Sequence, residues 1–396
     1  MADDVRPFVM GAKFERRGHD MTLEALEGRL QGQAHGQLGD VVERLDTLLL
    51  IDPDLSFQVA AYSGGELVLD AWGGPHLAGD SLIVPFSVSK NTIGFTMALL
   101  VQRGLLDLDV PVSHYWPEFV GGGKEAATVR QLLSHQVGLP EAVPTLRWDE
   151  MLAHHRAAER LAATVPWWRP GSAFGYHAAT IGNLADELVY RVTGRSIHEF
   201  YEQEIRSVIG AEFHLGLPGN LDLRLARTLP MIPPLAEPAP PPFHPLRTVV
   251  LGPRQDDPID LANDERSWRF GHPAVSATAS ARGIAMLFAG MVTGIDGRAP
   301  LLDSTTVATV GQQQVRGYDE VLDLPDRAHA IVFQKPSAQL AWGGARSFGH
   351  DGAAGALGCV DPDTGIAFGY TMARGVWPGG ADPRAVRVAR ELGRLV

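Results

Sequence analysis

Ser87 stands three residues ahead of Lys90 in VPFSVSKNTIGF, where the chain enters a strongly apolar run. On a helix that spacing puts both side chains on one face, one turn apart. A helix N-terminus lowers the cost of a serine alkoxide. Burial, together with that positive end, lowers the lysine pKa so that the amine can accept a proton. A serine nucleophile and its base would then share a single turn. Composition alone makes the pair a weak signal, since 16 serines and 4 lysines give about 0.16 Ser-x-x-Lys pairs by chance. Context strengthens it: Lys90 opens a stretch filled by Ile93, Phe95, Met97, Leu99, Leu100 and Val101, where a lone charge has no structural use.

Two further places could serve that serine. Tyr176, in RPGSAFGYHAATIGNLADELVYRVTG, falls just ahead of a helical pattern, where a phenol could relay protons between Ser87, Lys90 and a leaving group. A tyrosine so placed is often only packing, and the bare sequence leaves both readings open. In SFGHDGAAGALG, His350, Asp351 and Gly352 precede a strand pattern, and glycine-rich backbone there permits close approach of a ligand. A main-chain N–H of that stretch could join the N–H of Ser87 as an oxyanion hole.

The elements that must hold these residues come from both ends of the chain. Phe57, Val59 and Ala61 alternate, Ser63-Gly64-Gly65 supplies a turn, and Leu67 and Leu69 resume the alternation, which predicts a hairpin. Residues 356–360 and 366–370 flank Asp361-Pro362-Asp363-Thr364-Gly365, a second hairpin. Asp382-Pro383 then opens a helical repeat of Val386, Ala389, Leu392 and Leu395. Between the hairpins the pattern is mostly helical. Residues 88–103 are apolar nearly all round and stop at Gly104, as a helix buried between layers would be. Residues 180–192 and 280–292 are further helices by spacing, and the proline-rich run 231–246 can form neither helix nor central strand.

The reading is an α/β (α+β) fold: an antiparallel sheet flanked by helices, assembled from both chain ends. Its domains are a sheet domain of residues 21–88 and 335–396 and a mainly helical insertion of residues 89–334. Residues 1–20 are expected to lie outside the fold, with helical sequence beginning after Met21.

These residues together resemble the serine β-lactamase-like, or penicillin-recognition, superfamily, and in particular the family VIII carboxylesterases related to class C β-lactamases. The likeness spans most of residues 40–396, through ELVLDAWGG, PFSVSK, GLLDLDVPVSHYWPEF, TVRQLLSHQVGLP, RPGSAFGYHAATIGNLADELVYRVTGRS and FGHDGAAGALGCVDPDTGIAFGY. The resemblance implies Ser87 as the acylated nucleophile, Lys90 as its proton acceptor and Tyr176 as a second general acid/base. It also implies the N–H groups of Ser87 and Ala353 as the oxyanion hole. His350-Asp351-Gly352 takes the place of the Lys-Thr-Gly strand motif, and His177 and Trp342 join those three as expected substrate-binding residues.

The departures bear on substrate. Tyr176-His177-Ala178 lacks the asparagine of the β-lactamase Tyr-x-Asn motif, and His350 stands where a lysine would pair with a β-lactam carboxylate. An asparagine that relatives often show is absent at Ala373. The expectation is therefore a carboxylesterase acting on small or short-chain esters. A β-lactamase, amidase or acyltransferase on the same three residues is the alternative in chemistry, and a non-catalytic acyl-binding sensor the alternative in class.

Composition and motifs exclude other classes. Lysine and arginine number 34 against 46 acidic residues, a net charge of −12, which disfavours nucleic acid or an anionic membrane as partner. A small neutral substrate fits better, which the resemblance makes a small-molecule ester. The lone cysteine, Cys359, permits neither an intrachain disulfide nor a cysteine metal site. No secretory or membrane-spanning run is visible, which predicts a cytoplasmic protein. No Gly-x-Ser-x-Gly elbow surrounds any serine, and Gly121-Gly122-Gly123-Lys124 lacks the rest of a phosphate loop. His154-His155 is expected to be an exposed helical pair, His135 to hold a loop, and the chain to use neither metal nor cofactor.

Overall fold

The computed structural model describes residues 23–26, 28–234, 245–251 and 258–395. The expected extension at residues 1–20 and the 235–244 part of the proline-rich run lie outside the described residues. The main sheet has seven strands: β1 (Leu23–Leu26), β2 (Leu30–His35), β3 (Phe57–Ser63), β4 (Glu66–Gly73), β5 (Phe348–Asp351), β6 (Leu357–Asp361) and β7 (Ile366–Met372). Their order is β1-β2-β4-β3-β7-β6-β5, with antiparallel pairing throughout. Both expected hairpins are present. Gly64 and Gly65 have φ of 57° and 93°, the two positive values that a twist-compatible two-residue turn requires. β3 and β7 join the chain ends in the middle of the sheet, from Ser63↔Ile366 to Phe57↔Met372.

One expectation fails at the start. Residues after Met21 were expected to be helical, yet β1 and β2 form a hairpin, and β2 pairs with β4 from Leu30↔Gly73 to Ala34↔Leu69. The free edge of β4 supplies backbone partners that outweigh the local helix preference of Leu, Glu and Ala. At Gly32 (φ 118°) a Cβ would meet the Asp70 carbonyl oxygen at 2.1 Å, so only glycine permits this pairing.

Period-two alternation sends the two faces of each central strand into different cores. Phe57, Val59 and Ala61 of β3 and Phe368, Tyr370 and Met372 of β7 pack with helix α1 (Gly39–Ile51) and the C-terminal helix (Pro383–Leu395). Ala60 and Tyr62 of β3 and Ala367 of β7 face the opposite core, with helix α2 (Lys90–Gln102) and the helical region. Every residue of α2 from Lys90 to Leu100 is buried. Phe95 makes edge contacts with Phe288, Phe333 and Phe348, and a Cβ at Gly94 would meet the Phe333 ring at 2.4 Å. The layer is thus tightly fixed around the site.

Helix α3 (Thr180–Thr193), the short helix α4 (Ile197–Tyr201) and helix α5 (Ala281–Phe288) follow, and α5 packs on β7. The C-terminal helix is α6. Asp382 precedes it, accepting the N–H of Arg384 (2.9 Å) and the hydroxyl of Tyr370 (2.9 Å), with Pro383 at the first helical position. The proline-rich run is irregular at residues 231–234, but a helix begins at Pro245, where a missing N–H costs nothing. No helix among the described residues is long and apolar enough to cross a membrane.

Candidate active site

Ser87 lies in a 3-10 turn, Phe86–Ser89, that runs directly into α2. Residues i and i+3 eclipse in such a turn, so Ser87 and Lys90 face one another more directly than an α-helix would allow. Phe86 precedes them with φ of 49°, a left-handed conformation that bulky residues rarely adopt. It turns the chain sharply at the nucleophile.

Three side chains converge. Lys90 Nζ stands 3.2 Å from Ser87 Oγ, and the Tyr176 hydroxyl lies 2.7 Å from the same oxygen. Lys90 is fully buried and makes no ion pair among the described residues; instead Nζ donates to the carbonyls of Ala178 (2.6 Å) and Ala274 (2.9 Å). A neutral amine has two N–H bonds and one lone pair. A neutral amine with its two hydrogens on these carbonyls has its lone pair left for Ser87 Oγ. Burial holds the Lys90 pKa well below its ordinary value of 10.5, partly opposed by the charge of Asp351. Burial also pushes the Tyr176 phenol far above its ordinary range, so it remains protonated. The arrangement separates a base, Lys90, from an acid, Tyr176.

The Tyr176 ring sits among imidazoles. His135, His329 and His350 have ring centroids 5.3, 6.2 and 5.8 Å from it. Desolvation lowers the pKa of all three, which keeps them neutral. Asp319 Oδ1 accepts the N–H groups of Tyr176 (3.0 Å), Val321 (3.0 Å) and Leu322 (2.8 Å), fixing the backbone that presents the phenol. His135 accepts the N–H of His177 at Nδ1 (3.2 Å) and, through its carbonyl, that of Gly175 (3.1 Å), which holds this loop together.

On the opposite side, the end of β5 presses against the turn. A Cβ on Gly352 would meet the Pro85 carbonyl oxygen at 2.3 Å, so a side chain there is excluded. The Gly352 N–H is used by Ala356 O (2.8 Å), whereas the N–H groups of Ser87 and Ala353 have no hydrogen-bond partner among the described residues. Two free donors thus border the Ser87 turn, as an oxyanion hole needs.

The expected substrate-binding residues divide. His350 is buried beside Tyr176, its Nδ1 on the Asp351 carbonyl (2.7 Å) and its Nε2 unpartnered. Asp351 accepts the Ala381 N–H (3.2 Å) and stays partly exposed. His177 does not line the site: it is 0% exposed, with Nδ1 on Gly175 O (2.7 Å) and Nε2 accepting the Leu139 N–H (2.9 Å). Trp342 is also misplaced by the sequence reading. It packs in the α1/α6 core, across the sheet from Ser87, because its strand-flanking segment presents it to that face.

Sequence reasoning missed several contributors. The Ala178 and Ala274 carbonyls carry no side-chain signature, and Asp319 and His329 lie far from the motifs they serve. Arg327 is 6% exposed, makes no ion pair among the described residues, and lies near enough for its charge to act on Tyr176 and His350. Apolar groups flank the triad on two sides: Trp168, Val250, Val321 and Leu322 beside Tyr176, and Val84, Ile259, Ala262 and Ala354 beside Phe86.

Comparisons with known proteins place the chain in a family. The Beta-lactamase family model matches residues 53–392. Esterase/beta-lactamase LipL of Mycobacterium tuberculosis is 30% identical over 355 residues, covering 78% of this chain and 75% of that protein. The structure of EstA from Arthrobacter nitroguajacolicus Rue61a superposes with a TM-score of 0.85 at 40% identity, covering 91% of this chain and 97% of that one. A family VIII carboxylesterase structure gives 0.83 at 27% identity, covering 93% and 100%.

Proposed function

From the premise that this chain belongs to the Beta-lactamase family, we propose that it is a serine carboxylesterase that cleaves small or short-chain esters through an acyl-enzyme on Ser87. The observation that carries the reading is the Lys90 amine: fully buried, with its pKa well below the ordinary value because of burial, and held by the Ala178 and Ala274 carbonyls 3.2 Å from Ser87 Oγ. Such an amine is a base with one direction of action. The esterase names of LipL, EstA and the family VIII enzyme support hydrolysis of esters.

In the reaction, Lys90 takes the Ser87 proton as Oγ bonds to the ester carbonyl carbon, and the Ser87 and Ala353 N–H groups receive the oxyanion. Collapse breaks the bond to the alcohol, which leaves with a proton from Tyr176; Lys90 returns its proton to the phenol. Water then attacks the acyl carbon as Lys90 takes its proton, and Lys90 passes that proton to Ser87 Oγ as the acyl–oxygen bond breaks and the acid forms. Apolar groups on both sides of the triad favour compact acyl and alcohol parts.

The test is hydrolysis of p-nitrophenyl esters from acetate to long acyl chains by wild type and Ser87→Ala. Turnover of short esters that vanishes in the variant is expected. Unchanged turnover in Ser87→Ala would mean that another residue is the nucleophile. One observation favours a second reading: Arg327 is a buried cation whose charge acts on Tyr176 and His350 and which has no ion-pair partner among the described residues. It could receive a substrate carboxylate in place of the missing strand lysine, which would admit β-lactams. A chromogenic cephalosporin run alongside decides between them, and turnover of it far above that of esters would favour the second.

A further inference from the structure

We propose that His154, Asp186 and His198 form a binding site for a divalent transition metal, Zn2+, separate from the Ser87 site. Their candidate ligand atoms all lie within 4.8 Å of one another. The three come from different elements: His154 from the turn before the helix Arg156–Ala163, Asp186 from α3 and His198 from α4. Spacings of this kind form no sequence motif, which is why the pair His154-His155 read as an exposed helical doublet. The structure corrects the helical part of that reading, while His154 is exposed as expected. The pair occupies a turn, with His155 at φ 68°. Its members also diverge, His155 pairing with Glu187 (2.5 Å) and His154 with Asp186 (2.6 Å).

The orientation of His198 carries the argument. Its Nε2 lies 3.1 Å from the Gly271 carbonyl, an acceptor only, so Nε2 bears the hydrogen and Nδ1 a bare lone pair. That Nδ1 is buried and has no hydrogen-bond partner. An imidazole with one N–H held by a carbonyl and its other nitrogen bare is the arrangement in which histidine binds metals. Asp186 is similarly prepared, because Oδ1 accepts the Ile197 N–H (2.8 Å) and Oδ2 is the oxygen turned toward His154. Phe270 packs on both imidazoles, 5.2 Å from the His154 ring and 4.8 Å from that of His198, and the two imidazoles stand 5.1 Å apart.

Two imidazoles and one carboxylate are a zinc donor set, with water completing a tetrahedron. At bond lengths of about 2.0–2.1 Å the ligand atoms would stand roughly 3.3 Å apart. The Asp186–His154 contact must therefore open slightly and the widest separation close, and the exposed His154 side chain is free to do both. The bound ion would tie the 154 turn, α3 and α4 together. Through the Gly271 carbonyl it would also brace the segment that ends at Ala274, whose carbonyl holds Lys90. It takes no part in the ester chemistry, and the inference does not depend on that reading.

The test uses the full chain, stripped with a chelator and titrated with Zn2+ by calorimetry and with Co2+ by absorbance. The variants are His154→Ala and His198→Ala, with His155→Ala as control. Wild type and His155→Ala are expected to bind one Zn2+ per chain, to melt higher with it, and to give the intense visible bands of tetrahedral Co2+. Each ligand variant should bind weaker by at least the roughly 10–100-fold that loss of an outer partner alone costs. Binding should also weaken as pH falls and protons compete with the metal for the imidazoles. No saturable Zn2+ binding by wild type would overturn the proposal, as would binding unchanged in His154→Ala. His154 is exposed, so its truncation tests the site even where His198→Ala, which loses a packed ring, fails to fold.

Discussion

At the scale of single residues, the site is a division of protonation states set by burial. Burial disfavours the charged form of each: it lowers the Lys90 pKa well below 10.5 and raises that of Tyr176, which keeps the phenol protonated. Tyr176→Phe removes the acid and keeps the ring, so kcat for p-nitrophenyl acetate should fall about 10²–10⁴-fold with KM little changed. The Lys90 shift also makes a stability statement. Its folded pKa lies below the ordinary 10.5, so the unfolded chain binds the extra proton between those values, and stability rises with pH through that window. The penalty is complete below the folded value and gone above 10.5. Wild type should therefore gain stability relative to Lys90→Met between about pH 7 and about pH 9.5, measured as the difference in melting temperature. An equal gap at both pH values would mean that the amine is charged in the fold. Arg327→Gln separates the two substrate readings: neutral esters should be turned over as before, and any turnover of carboxylate-bearing substrates should drop tenfold or more, about 1.4 kcal/mol.

At the scale of elements, position matters through close approach. The end of β5 and the Ser87 turn touch through Gly352 and the Pro85 carbonyl, with no room for a methyl group. Gly352→Ala must push the strand end, and with it Ala353 N–H, away from Ser87 N–H. Loss of one oxyanion donor typically costs 10²–10³-fold in kcat. The expected result is a loss of about that size in kcat, with the melting temperature lowered by only a few degrees. A full-activity variant would show that Ala353 N–H is no part of the oxyanion hole. α2 works in the same way on its other side, where Gly94 admits the Phe333 ring and Phe95 is wedged among three aromatic rings. A helix so enclosed cannot shift its first turn without cavities opening. The Ser87–Lys90 geometry is therefore preorganised by packing.

At the scale of the whole molecule, the fold depends on two chain ends that meet late. The β3–β7 ladder pairs Phe57–Ser63 with Ile366–Met372, and α6 seals the face of that sheet farthest from Ser87. Pairings so distant in sequence incur a large loop-closure cost before they gain contacts. The seal of α6 is correspondingly important. Leu392 is 1% exposed within that core. Leu392→Asp should lower the unfolding free energy by at least the roughly 2–5 kcal/mol that truncating a buried leucine costs, read from urea denaturation. Because α6 lies across the sheet from the site, kcat per folded molecule should be unchanged. A large fall in kcat with stability intact would mean that the sheet transmits its outer face to the Ser87 turn.

Features that depend on near neighbours were legible in the residues alone. Both hairpins, the buried α2, the Asp382-Pro383 helix start and the convergence of Ser87 with Lys90 follow from turn residues, period and spacing within a few positions. Tyr176 was legible as a candidate because a helix start follows it, but its 2.7 Å contact with Ser87 is a product of the tertiary fold. Distant backbone and packing decided the rest. The edge of β4 made strands of residues expected to be helical, and the two sheet faces sent Trp342 into the core opposite Ser87. His177 turned inward because a carbonyl and an N–H satisfied both its nitrogens. Carbonyl oxygens from Ala178 and Ala274, which every residue type could supply, hold the Lys90 amine in place, and burial by distant segments lowers its pKa. Side-chain identity records which groups a chain has to offer, whereas the environment that fixes their protonation and reach is made by residues far away in sequence, and only folding brings those together.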